Sequence, residues 1–97
     1  MSAPKVIFAV ILLVATLAAA AFAQSLTPTQ AMRRDAAAAY LNGNYKLALR
    51  LYETLAHQGD ASAAWSLGGM YYNGEGVAQD GAQALDWYRV AVERGQA

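Results

Sequence analysis

Ninety-seven residues allow one small domain. Seven basic and seven acidic side chains cancel, so no basic patch points to nucleic acid and no acidic tract to a charged tail. The chain has no cysteine, which excludes a disulfide framework, a Cys-based zinc site and thiol chemistry together.

Residues 1–23 read as a secretory signal peptide. The amino terminus and Lys5 are positive, residues 6–20 are almost wholly apolar, and Ala21-Phe22-Ala23 offers the small-x-small sequence that signal peptidase reads. Cleavage is expected between Ala23 and Gln24. The alternative is a retained anchor: residues 6–23 make 18 positions, near the lower limit for a hydrocarbon core of ~30 Å. No cysteine follows the apolar run, which excludes a bacterial lipoprotein anchor. The processed chain has six basic and seven acidic residues, net −1 (6 − 7). It is expected in the periplasm or secreted, with membrane contact only if the segment is kept. In an oxidising compartment, a chain without cysteine must be stabilised by packing alone.

Residues 24–29 form a short lead. Thr27-Pro28-Thr29-Gln30 is a helix start: Thr27 accepts from free N–H groups, Pro28 suits the first helical position, and Gln30 bonds back. A first helix is predicted from Pro28 to Leu41, its alanines favouring helix and close packing. Asn42-Gly43-Asn44 stops it, and Asn44 caps a second helix over residues 45–58. Gly59 ends that helix and Asp60 caps a third, which ends near Asn73-Gly74. The fourth starts after Asp80, with Gln83 placed for a capping box, and ends near Arg94-Gly95.

The chain repeats itself. A shift of 36 residues lays the second helix on the fourth: Ala48 on Ala84, Leu49 on Leu85, Tyr52 on Tyr88 and Gly59 on Gly95. A shift of 31 lays the first on the third: Tyr40 on Tyr71, Asn42 on Asn73 and Gly43 on Gly74. Residues 30–59 and 60–95 are therefore two helical hairpins, the second with a longer loop. In the second, Ala63, Leu67 and Tyr71 share one helical face, and Ala84, Trp87, Tyr88 and Ala91 recur at three- and four-residue spacing. Gly68 and Ala84 are small enough for backbones to approach, while Gly74, Gly76 and Val77 make the turn.

The run over residues 63–95 resembles the Sel-one-like repeat, a branch of the tetratricopeptide-like α-solenoids. Ala63, Leu67, Gly68, Tyr71, Gly74, Gly76, Val77, Asp80, Ala84, Trp87, Tyr88, Ala91 and Gly95 stand at that family's motif positions, thirteen in register over 33 residues. Val92 departs from it, where the family prefers alanine. The lack of cysteine sets the chain apart from the cysteine-rich members, some of which are linked to penicillin-binding activity. The resemblance implies an all-α fold, a short solenoid of two antiparallel helical hairpins with a right-handed twist. It makes the first unit a degenerate tetratricopeptide-like repeat and gives Trp87 and Tyr88 core roles. It also implies an adaptor or scaffold function; periodicity alone gives only a small helical stacking domain.

Tetratricopeptide-like stacking sets the first and third helices along the concave side. Outside the core positions, Ser62, Trp65, Gly69 and Tyr72 share one stripe of the third helix, and the repeat alignment sets Arg34, Ala38 and Leu41 beside them. Aromatic and arginine side chains anchor interfaces, and Arg34 near Trp65 is expected to offer either a cation–π clamp or a carboxylate contact. The expectation is a shallow groove for a protein or peptide partner; the competing reading is that Trp65 and Tyr72 merely fill space between the units. Two hairpins are fewer than the about three repeats that usually make a stable stack. Leu85, Val90 and Val92 are thus expected to need cover, from a second copy, a partner, or repeats lost from a truncated product.

Nothing assembles into a catalytic or metal site. His57 is alone near a helix end, Asp80 reads as a cap, Glu75 as a solvated loop-tip residue, and Ser62 and Ser66 lack a nucleophile-elbow motif. The glycines around Glu75 lack the Lys-Ser/Thr of a phosphate loop. No cofactor, metal or nucleic acid is expected, and the chain is read as a non-enzyme. The alternatives are a self-assembling structural repeat protein, or a periplasmic protein acting on cell-wall material.

Overall fold

The structure, a computed structural model, describes residues 25–95. The expected signal segment, its cleavage site at Ala23 and Gln24, and residues 96–97 lie outside the described residues. The fold is all-α: α1 Pro28–Leu41, α2 Tyr45–His57, α3 Ala61–Asn73 and α4 Gly81–Gly95. α1 packs on α2, α2 on α3 and α3 on α4, giving two helical hairpins side by side, with the α3–α4 interface the most extensive. No helix among the described residues is long and apolar enough to cross a membrane.

The helix starts follow from their caps. Gln30 N–H donates to Thr27 Oγ1 at 3.1 Å, and Thr27 N–H donates to Gln30 Oε1 at 2.9 Å, a full reciprocal box. Asn44 and Asp60 accept from Leu47 N–H and Ala63 N–H at 3.4 and 3.1 Å. The expected box at Asp80 is only half formed. Asp80 Oδ1 accepts from Gln83 N–H at 3.1 Å, but Asp80 N–H already donates to the Tyr71 carbonyl at 2.9 Å. The Gln83 amide therefore has no free N–H to accept from, and donates to Asp80 Oδ2 at 3.3 Å.

The longer second loop is built rather than slack. Glu75 N–H, Asp80 N–H and the Gln79 side chain satisfy the Met70, Tyr71 and Tyr72 carbonyls at the end of α3. Gly74 leaves α3 at φ 71°, and Gly76 follows at φ 75°. A Cβ on Gly76 would stand 2.8 Å from the Tyr45 carbonyl, so the loop of the second hairpin rests on the backbone at the start of α2.

Alanine dominates the core. Ala36, Ala56, Ala63, Ala64 and Ala91 cluster with Leu55 and Leu67, while Ala39, Ala48 and Met70 form a second cluster beside them. Short side chains let the helices approach, so close packing does the work that longer residues would do in a wider core. Ala84 is 1% exposed, as its smallness requires. Gly68 has a different reason from the expected one. A Cβ there would lie 2.5 Å from Tyr88 Cε1, so the missing side chain makes room for an aromatic ring and not for a helix backbone. Trp87 and Val90 pack against the main cluster, so Val90 needs no further cover; Leu85 and Val92 remain 50% and 51% exposed.

Among the described residues three side-chain hydrogen bonds join the hairpins, one of them from Tyr40 to Glu75. Arg33 Nε of α1 donates to Asp60 Oδ2 ahead of α3, and Arg94 of α4 donates to the Ala56 carbonyl in the last turn of α2. Asp60 is buried. Burial alone pushes its carboxyl up, but the Arg33 and Ala63 hydrogen bonds outweigh that and hold it below its ordinary 3.8. No buried side-chain nitrogen or oxygen among the described residues lacks a partner.

Two predictions test this packing. Gly68→Val should displace the Tyr88 ring and lower unfolding stability by ~2–3 kcal/mol. In a Tyr88→Ala background the same change should cost much less, measured by urea denaturation as a double-mutant cycle. Asp60→Asn keeps the cap but loses the charge opposite Arg33, and should cost ~1–3 kcal/mol at neutral pH. The Asp60 contribution is fully present above the ordinary value of 3.8 and is lost as pH falls through the lower folded value. The gap between wild type and variant should close over that range; a gap independent of pH would remove the ion pair from the account.

Candidate interaction groove

A shallow groove of about 220 Å³ runs between the two hairpins. Tyr40 of α1 and Tyr52 of α2 form the wall from the first unit; Trp65, Ser66, Gly69, Met70 and Asn73 of α3 form the other, with Glu75 at its end. Helix geometry explains the wall residues of α3, since 66, 69, 70 and 73 recur at three- and four-residue spacing on one face. Gly69 is the low point, and Trp65 stands over it 60% exposed, its ring against that of Tyr88 with centroids 4.7 Å apart. Tyr40 is braced from behind by Tyr45 at 5.2 Å.

Glu75 closes the groove. Tyr40 Oη donates to Glu75 Oε2 at 2.8 Å, and Asn73 Nδ2 donates to Glu75 Oε1 at 3.3 Å. The hydrogen bond to Glu75, followed by burial, pushes the Tyr40 phenol up to about 12. Among the described residues the ion pairs are Arg33–Asp60 and the exposed Arg89–Asp86 pair. Glu75 belongs to neither, so the groove ends in a carboxylate with no basic side chain in pairing range. Glu75 is thus partly buried and bonded, not the solvated loop tip expected. Ser66 donates to the Ser62 carbonyl at 3.2 Å. Among the described residues, no three His, Asp or Glu side chains gather as metal ligands.

The structure brings together only some of the residues expected in the groove. Trp65 and Gly69 line it. Ser62, Tyr72, Arg34 and Leu41 are exposed but do not, and Ala38 lines a separate depression on the other side of α1 with Asp35, Ala39, Asn42, Leu47 and Leu51. The cause is angular. At about 100° per residue, positions 33, 37 and 40 make one stripe of α1 and positions 34, 38 and 41 the next. Arg33 and Tyr40 reach the second unit, through Asp60 and Glu75. The ring contact at Trp65 is Tyr88, not an Arg34 cation. Tyr88 is half-buried between Gly68 and Trp65, and Trp87 meets the exposed His57 ring edge-on at 6.0 Å.

Sequence reasoning missed Tyr40, Tyr52, Ser66, Met70, Asn73 and Glu75. Repeat alignment pairs Tyr40 with Tyr71 and Tyr52 with Tyr88, which does not single out either tyrosine as a groove residue. The available signal was Glu75 itself, a single carboxylate held between two glycines of a structured turn.

No protein-family model matches this chain, and no solved structure matches it. A curated protein described as an exopolysaccharide production negative regulator, from Rhizobium leguminosarum bv. viciae, is 35% identical to it over 57 residues. The match takes in 59% of this chain but 21% of that regulator. The chain therefore spans about a fifth of the relative it matches. The likeness is to part of a regulatory protein.

Proposed function

We propose that this chain is a non-catalytic protein-interaction module built from two Sel-one-like helical units, and that its groove holds an extended peptide segment bearing a basic side chain. The observation that carries this reading is the aromatic groove ending in Glu75. Tyr40, Tyr52 and Trp65 offer flat apolar faces, and Glu75 offers a negative charge that no cation among the described residues pairs. A lysine or arginine entering from a partner would meet both the carboxylate and the rings. The Trp65 ring is exposed where interface anchors usually stand.

The partial likeness to a negative regulator of exopolysaccharide production supports a regulatory role exercised by binding. The proposed setting is the periplasm or the extracellular space, from the apolar run and the small residues at 21–23.

The test is to pan a random peptide library on the full chain and measure the selected peptides by calorimetry. Peptides with lysine or arginine beside apolar residues should be enriched. Trp65→Ala should weaken them about thirtyfold, and Glu75→Gln, which still accepts from Tyr40, about tenfold. No enrichment, or binding that ignores both changes in folded variants, would contradict the reading.

A further inference from the structure

The outer faces of α1 and α4 repeat, in sequence register, the two faces that meet between the hairpins. Inside the chain, Leu49, Tyr52 and Ala56 of α2 pack with the clusters that hold Ala63, Ala64, Leu67 and Met70 of α3. Their repeat counterparts on α4, at a shift of 36, are Leu85, Tyr88 and Val92. Ala56 is 0% exposed, whereas Val92 is 51% exposed. Leu85, Tyr88 and Val92 line an open depression on α4, with Arg89 and Glu93 at its sides.

The other end shows the matching half. Ser66, Gly69, Met70 and Asn73 are the α3 residues that face the first unit across the groove. A shift of 31 carries them back onto Asp35, Ala38, Ala39 and Asn42. Those four residues, with Asn44 and with Leu47 and Leu51 of α2, line the depression on the side of α1 away from the groove. The chain therefore carries on α1 the counterpart of the wall that α3 turns to the first unit, and on α4 the counterpart of the α2 face that α3 covers.

We infer that a second copy of this chain docks its α1 on the α4 face of the first, as α3 docks on α2. The internal packing is the template, so the occupant is a helix of the α1 type. Such a contact is head-to-tail, so each dimer keeps one free α1 and one free α4 and adds further copies unless the rotation closes the array into a ring. The contact is independent of peptide binding, because Leu85, Val92 and Ala38 lie outside the groove.

The test is sedimentation velocity on the full chain from micromolar to millimolar concentration, with each variant checked for helicity. The positions suit substitution, since Leu85 and Val92 are half exposed and Ala38 is exposed. Wild type should grow in mass with concentration. Leu85→Glu with Val92→Glu should raise the dissociation constant of self-association at least about tenfold, and Ala38→Arg should do the same from the other end. Mixed together, these two variants should form a one-to-one dimer that grows no further, because one keeps an intact α1 and the other an intact α4. A wild type that stays monomeric at millimolar concentration overturns the inference. So does an Ala38→Arg variant that still associates, which would mean α4 pairing with α4 or with residues 1–24. So does a mixture that fails to pair.

Discussion

The ring of Tyr88 lying on Gly68 is the contact on which the rest of this structure depends. It sets how closely α4 lies on α3, because any side chain at 68 would occupy the ring's place. The same ring supports Trp65 on its other side, and Trp65 overhangs the groove. One aromatic side chain thus couples the packing of the second hairpin to the shape of the surface it offers.

Around that contact the core is made of alanine more than of leucine. Small side chains bury little area each, so stability rests on close approach over the whole length of the helices. Three polar ties then fix the hairpins to each other at different places. Asp60 caps α3 and holds Arg33 of α1, Arg94 reaches from the end of α4 to the end of α2, and Tyr40 donates to Glu75. The Gly76 turn adds a further connection by resting on the backbone at Tyr45. Together these connections hold the two units in the register in which Tyr40, Tyr52 and Glu75 line one groove.

The helices were legible because their ends are written in single residues. Thr27, Asn44, Asp60 and Asp80 each cap the helix that follows, and the periodicity between them leaves one alternative for the second helix end, off by one position at Gln58. The site was less legible because a groove between helices depends on rotation about each axis. Shifting by one residue turns a side chain by about 100°, which is the distance between Arg34, expected in the groove, and Arg33, which ties α1 to α3. The alignment of the two units did not single out Tyr40 and Tyr52: it pairs them with Tyr71, which is buried, and Tyr88, which is half-buried, although in the first unit the two tyrosines border the space between units. Glu75 was misread because a glycine-flanked carboxylate looks solvated until the position of Tyr40 is known.

The central claim is that the two hairpins form one cooperative body, so that the groove keeps its walls. Native-state hydrogen exchange read at single amides tests it most directly. If the claim holds, the buried amides of α2 and α3, at Leu55, Ala56, Ala64 and Leu67, exchange through one common opening with the same free energy and the same denaturant dependence. If α1 and α2 open as a unit while α3 and α4 stay protected, the hairpins are independent bodies and the groove between them is not a fixed surface.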